Sequence, residues 1–186
     1  MKLLDICKIG GCSTNKYYGL KKYIATGDIL NSEIVSYESV SYEDRPSRAN
    51  VQINDNDVLF AKMKDTVKTM CANKDNVDNI YSTGFYVLTP NDNVLQEYLY
   101  YYLNSESFNM QKNKLCSGAT QKALNNEGLK KINIKYLPSR CEQSIIINKF
   151  DCINKLINIK KDQMNKLDQL IKSQFVNHFN FGGLLC

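Results

Sequence analysis

Tryptophan is absent from this chain, and histidine occurs once, at His178. A lone imidazole argues against a zinc site of common spacing, and any Ser-His-Asp or Cys-His pair would depend on His178 alone. The seven cysteines (Cys7, Cys12, Cys71, Cys116, Cys141, Cys152 and Cys186) are odd in number and contain no Cys-x-x-Cys pair. They read as reduced thiols of a cytoplasmic protein. No apolar run approaches the ~20 residues needed to cross a bilayer, so no membrane contact is expected. The start, Met1-Lys2-Leu3-Leu4-Asp5, is too short and too acidic for a signal peptide.

Motifs of catalysis are missing as well. Neither a GxxxxGK[ST] nor a GxGxxG phosphate loop occurs, and Gly10-Gly11 is an isolated turn signal. No Asp or Glu stands two residues before a Lys, which removes one metal-nuclease pattern. No Asn/Asp-Pro-Pro-aromatic stretch is present to hold an amino group for methyl transfer. The clustered carboxylates, Asp55 with Asp57 and Asp75 with Asp78, sit in turn-like stretches and read as solvated turn residues. No set of acid, base and nucleophile emerges, so the chain is not expected to be an enzyme and needs no cofactor of its own.

What is present fits a folded domain with an appendage. The 186 residues are 43% hydrophobic and 23% charged, with a formal net charge of +5. The charge is a mild bias toward an anionic partner. Short strands and turns fill the first half. Strands are expected at Ile34–Tyr37, Val51–Ile53, Val58–Ala61 and Tyr81–Leu88, with a polar loop over Tyr42–Ala49 and a turn at Asn54–Asp57. Val94, Leu95, Tyr98, Leu99, Tyr102 and Leu103 share one helical face. Cys116–Lys122 reads as a small polar loop, and Ile132–Leu137 alternates like a last strand before Pro138.

A long amphipathic helix is then expected. Ser139 and Glu142 form a capping-box signature directly after Pro138. Phe150, Ile153, Ile157, Met164, Leu167 and Ile171 follow at spacings of three, four and seven, an a/d seam interrupted by Lys160 and Gln174. From Ser139 to Phe175 such a helix is roughly 55 Å long. The expected architecture is α/β (α+β): a mixed-sheet head over 1–138, a pairing helix over 139–181 and a tail over 182–186. The seam is expected to meet another helix.

Surface loops of the head carry the candidate binding residues: Arg45, Ser47 and Arg48; Lys62, Lys64, Lys68 and Thr69; Ser117, Thr120, Gln121 and Lys122. Arg and Lys pair with guanine edges or phosphates, Gln with adenine, and Ser and Thr with either. Any one of these residues taken alone reads more readily as simply solvated; it is the group that points to DNA.

Four stretches together resemble the specificity subunit of type I restriction–modification systems. They are Asn56-Asp57-Val58-Leu59-Phe60-Ala61-Lys62, Ser82-Thr83-Gly84-Phe85, Ser117-Gly118-Ala119-Thr120-Gln121-Lys122-Ala123-Leu124, and Leu137-Pro138-Ser139-Arg140-Cys141-Glu142-Gln143 running into the helix. The serine–glycine loop followed some twenty residues later by the proline and the helix is the most specific part. Members of that family usually carry two recognition domains and two long helices, so this chain resembles one half of such a subunit. The resemblance implies a mixed α/β head that reads a few base pairs of double-stranded DNA, and helices that pair antiparallel as a ruler. It also implies a separate modification subunit that binds S-adenosylmethionine and a separate ATP-dependent restriction subunit. A homodimer through the helix would then recognise an inverted repeat. The other open readings are a regulatory module that competes with a full-length subunit, and an enzyme with an unrecognised site.

Overall fold

The computed structural model of the chain describes residues 1–181, with side chains through 175. The expected tail over 182–186, Cys186 and the His178 side chain lie outside the described residues. Ten strands and four α-helices follow one another: β1 (Cys7–Ile9), β2 (Lys21–Ile24), β3 (Ile29–Leu30), β4 (Glu33–Ile34), β5 (Glu38–Val40), β6 (Ala49–Val51), β7 (Val58–Ala61), β8 (Thr69–Cys71), β9 (Ile80–Ser82), β10 (Phe85–Pro90), α1 (Gln96–Asn104), α2 (Glu106–Leu115), α3 (Asn126–Leu129) and α4 (Arg140–Phe181). The chain divides into two units, Met1–Ser144 and a second one that begins at Ile145.

Within the first unit, one sheet runs β1-β10-β7-β8, all antiparallel. A second runs β5-β2-β9-β6 and is mixed, because β2 and β9 are parallel. β3 and β4 form a separate hairpin. The alternation of side chains along β7 and β10 explains how the layers stack. Val58, Phe60, Tyr86 and Leu88 join a core with Leu99, Leu103, Phe108, Leu129 and Ile132 on the helical side. Their neighbours Leu59, Ala61, Phe85 and Val87 join Ile24, Ile29, Met70 and Tyr81 on the side of the other sheet. Successive side chains of a strand point to opposite faces, so a strand covered on both faces reads as an unbroken apolar run. Val58-Leu59-Phe60-Ala61 is such a run, and all four are buried.

Several expectations are corrected. Ile132–Leu137 is not a strand: it makes one bridge, Lys2 to Asn133, flanked by Leu3 N–H to Ile132 O at 2.9 Å and Ile134 N–H to Met1 O at 3.0 Å. Its partner segment curls into a 3-10 turn at Leu3–Asp5, which ends the ladder, while Ile132 and Ile134 still point into the core. Ile34–Tyr37 is not one strand: Ile34 ends β4, β5 begins only at Glu38, and Val35 and Tyr37 between them are exposed. Asp57 is buried rather than solvated; its carboxylate accepts from the Asn54 amide at 2.8 Å and the Thr89 hydroxyl at 2.5 Å. α2 was not anticipated.

α4 begins as its capping box requires. The Ser139 amide and hydroxyl each donate to Glu142 Oε2 at 2.8 Å, and the Glu142 amide donates to Ser139 Oγ at 3.4 Å. Glu142 is thereby held below the usual carboxylate range, chiefly by the Ser139 hydroxyl and then by its amide. Gln143, fully buried, fixes this first turn: Oε1 accepts from the Leu95 amide at 2.8 Å, and Nε2 donates to Asn93 O at 2.9 Å and Pro138 O at 2.8 Å. Along the rest of α4 the seam residues are open to solvent in the single chain, from 45% exposed at Phe150 and Ile157 to 67% at Met164. No helix among the described residues is long and apolar enough to cross a membrane.

Candidate nucleic-acid interface

The three loops singled out in the sequence are joined edge to edge by main-chain hydrogen bonds. Arg48 O accepts from the Thr83 amide at 2.9 Å, and Thr83 O accepts from Lys62 Nζ at 2.9 Å. The Lys62 amide donates to Gly84 O at 2.9 Å, and Lys62 O accepts from the Leu124 amide at 2.8 Å. The Lys64 amide donates to Lys122 O at 2.9 Å. The β9–β10 turn at Thr83-Gly84 therefore sits between the Arg45–Arg48 loop and the start of the Lys62–Lys68 loop. The Ser117–Lys122 loop closes the row on the other side.

Each loop is held in its own way. The Ser117 and Ala123 backbones bond reciprocally at 3.0 Å in both directions, closing the Gly118–Lys122 segment. Gly118 has φ +129°, and a Cβ there would stand 2.5 Å from Gln121 O, so only glycine fits. Ser117, Thr120, Gln121 and Lys122 are all exposed. In the first loop Ser47 and Arg48 are exposed, whereas Arg45 is engaged within the loop itself. Its Nε donates to Ala49 O at 3.0 Å, its Nη1 donates to Tyr42 O, and its guanidinium lies 3.8 Å from the centre of the Tyr42 ring. Arg45 thus shapes the loop that presents Arg48.

The middle loop is braced from α2, a set of contacts the sequence reading missed. The Asn113 side chain accepts from the Asp65 amide at 2.9 Å and donates to the Asp65 carboxylate at 2.8 Å. Asp65 adopts a left-handed φ of 56°, a conformation that costs a non-glycine residue energy and needs such support. One residue before Asn113, Lys112 is buried, and its ammonium donates to Thr66 O. Burial pushes the Lys112 ammonium below its ordinary value. The signal for α2 was present: Ser105 caps it by accepting from the Phe108 amide at 3.2 Å, Glu106 opens it, and Lys112 and Lys114 close it.

Lys62, Lys64 and Lys68 reach this surface, but Thr69 does not lie on a loop. It opens β8, pairs with Phe60 of β7 and is 2% exposed, because the chain has already entered the sheet. Lys68 Nζ donates to Gly27 O at 3.3 Å. Lys62 is half-buried, and burial lowers its pKa; its ammonium stands 4.4 Å over the Tyr86 ring. Tyr86 in turn donates to Asn126 Oδ1 at 2.7 Å. These three side chains line a cavity of about 450 Å³ together with Gly11, Asn50 and Thr83. Among the described residues no carboxylate lies within 4.0 Å of Lys62. A desolvated cation without a counter-charge favours an anion in the space beside it.

The described thiols are all free. Burial pushes Cys7 and Cys71 up to about 12 and raises Cys116, which keeps them protonated and poor nucleophiles.

Residues 1–169 match the family described as type I restriction modification DNA specificity domain. The chain is similar to the type I restriction enzyme MjaIX specificity subunit of Methanocaldococcus jannaschii, with 32% identity over 96 residues, covering 52% of this chain and 22% of that protein. It is also similar to the HindI specificity subunit of Haemophilus influenzae, with 33% identity over 85 residues, covering 45% and 18%. Among solved structures, the HsdS subunit from Thermoanaerobacter tengcongensis superposes with a TM-score of 0.72 at 23% identity, over 85% of this chain and 42% of that one. A chain from a study of assembly and conformational transition of the type I R-M system superposes with a TM-score of 0.73 at 20% identity, over 87% and 43%. The match thus spans about a fifth of each curated relative and less than half of each solved chain.

Proposed function

Because this chain belongs to the type I restriction modification DNA specificity family, we propose that it is a non-catalytic subunit that reads DNA sequence for a type I restriction–modification complex. The observation that carries this reading is the row of three exposed, basic and polar loops tied together through Thr83, Gly84 and Lys62. Arg48, Gln121 and Lys122 face the bases, with Ser47, Ser117 and Thr120 beside them. Lys62, Lys64 and Lys68 pair with phosphates, supply much of the affinity and make it salt-dependent. Arg45 acts by holding its loop.

Two copies pair through α4, with Ile153, Ile157, Met164, Leu167 and Ile171 in the seam beside Phe150. A two-fold dimer presents one surface twice in inverted orientation, so the target is an inverted repeat of one half-site with a fixed spacer. The partners are double-stranded DNA, a modification subunit that binds S-adenosylmethionine, and an ATP-dependent restriction subunit. The assembly works in the cytoplasm, where DNA is reached.

The test is co-expression with a modification subunit, followed by long-read sequencing that detects methylated bases. A split, inverted-repeat methylated motif that appears only with this chain is the expected result. An asymmetric split motif would remove the homodimer, since identical units cannot read two different half-sites. A soluble complex that adds no motif would overturn DNA reading in favour of a regulatory module.

A further inference from the structure

The turn between β1 and β2 lies outside the three loops and carries an unusual tip. Tyr18 is 94% exposed and Leu20 is 71% exposed. Between them Gly19 has φ +79°, and no other group stands within 4 Å of the place its Cβ would take. Scattered exposed apolar residues are ordinary. Here the two sit side by side at a turn, with Lys16, Lys21 and Lys22 within four positions.

The base of the turn is well held, so the tip is presented rather than loose. The Thr14 amide donates to Asn50 Oδ1 at 3.2 Å, the Asn15 amide to Gln52 Oε1 at 3.1 Å, and the Tyr17 hydroxyl to Val40 O at 3.0 Å. Lys21 Nζ stands 5.5 Å from the Tyr17 ring centre and Lys22 Nζ 4.6 Å from that of Tyr37. None of Lys16, Lys21 and Lys22 has a carboxylate within 4.0 Å among the described residues.

The turn is also continuous with the proposed DNA surface. Tyr17 packs edge-on against Tyr42 at 5.6 Å, and Tyr42 carries the Arg45 guanidinium on its face. The acids on the adjoining strand and loop are Glu38, Glu43 and Asp44, and Asp44 already accepts from the Ser41 hydroxyl at 2.7 Å. Five cations (Lys16, Lys21, Lys22, Arg45 and Arg48) therefore stand among three carboxylates.

We infer that the Lys16–Lys22 turn is a fourth DNA-contacting element, in which Tyr18 and Leu20 press into a groove of the duplex while Lys16, Lys21 and Lys22 face its phosphates. The inference rests on the DNA-reading role proposed above. An apolar tip in a groove contributes affinity that salt does not screen, and lysines beside it contribute affinity that salt does.

The experiment measures binding of the full chain to a mixed-sequence DNA duplex by fluorescence anisotropy over a range of salt. Three variants are compared: Tyr18→Ala/Leu20→Ala, Lys21→Ala/Lys22→Ala, and Lys62→Ala/Lys64→Ala as a probe of the three loops proposed above. The turn changes are at the surface, Lys62 is half-buried, and a thermal melt checks the folding of all three variants. The tip variant is expected to bind about tenfold more weakly with an unchanged salt slope. The Lys21/Lys22 variant is expected to lower the slope by about two. Wild-type affinity in both turn variants, with weakened binding in the Lys62/Lys64 variant, overturns the fourth element and leaves DNA reading intact. Absence of wild-type binding overturns both. Turn variants that keep wild-type DNA affinity but no longer co-purify with a co-expressed modification subunit would assign the tip to a protein contact and also overturn it.

Discussion

In the unit Met1–Ser144, a core of apolar side chains is hidden by its own chain: Leu3, Ile24, Val58 and Leu99 are fully buried. Between Ile145 and Phe175 the same residue types are largely open, Ile147 excepted, with Leu156 at 56%, Leu167 at 58% and Leu170 at 60% exposed. Burial of a leucine contributes roughly 1.5–3 kcal/mol. The first unit collects that contribution within one chain, and the long helix leaves it available for association. The first unit thus packs against itself, whereas in the pairing proposed above α4 completes its packing against a second helix.

The sharpest way to break this comparison is to put charge into the seam. Ile157→Asp or Leu167→Asp buries a carboxylate at a helix–helix contact, which costs several kcal/mol unless it is paired. Loss of the dimer in analytical ultracentrifugation is expected, with the near-ultraviolet circular dichroism of the first unit preserved. A persistent dimer would move the interface to another face.

Gln143→Leu tests the other side. It leaves the Leu95 amide and the Asn93 and Pro138 carbonyls without their partner. A loss of about 2–4 kcal/mol in urea unfolding of the first unit is expected. An unchanged midpoint would mean that water replaces the amide without cost. Lys112→Met should act more locally, because the substitution trades a buried ammonium for an apolar chain of similar length. Global stability should change by less than about 1 kcal/mol, while amides around Thr66 lose hydrogen-exchange protection. Equal loss of protection throughout the sheet would make Lys112 a core residue rather than a loop brace.

The smallest expected effect is a pH dependence at the start of α4. Glu142 is depressed in the folded chain, so its stabilising contribution is fully present above the unfolded carboxylate value of about 4.3 and is lost as pH falls through the folded value. An NMR titration should place the Glu142 carboxyl below that value, and Ser139→Ala should return it upward. A Glu142 titration that ignores Ser139→Ala would break the capping assignment.

How far the sequence foretold these features depended on whether the signal was local. The Val58–Ala61 strand, the capping box of α4 and the Cys116–Lys122 loop are read from adjacent residues, and each is found in place. Period-two alternation misled at Ile132–Leu137, where side chains face the core correctly but no neighbouring strand runs alongside. Asp57 and Thr69 mislead because turn-like and polar residues read as solvated, whereas the core covers both. The bracing of the loop surface was illegible for a different reason. Lys112 meets Thr66 across 46 positions and Asn113 meets Asp65 across 48, and single side chain–backbone bonds at such separations leave no periodic trace.

The reciprocal bonds between Ser117 and Ala123 use only main-chain atoms. A clasp of that kind is indifferent to what it encloses, and lengthening a closed loop costs little entropy. Apart from Gly118, whose backbone angle admits no side chain, the enclosed residues form an exchangeable cassette. Segments of new composition, or a residue or two longer, fit between the same two posts without remaking the scaffold beneath.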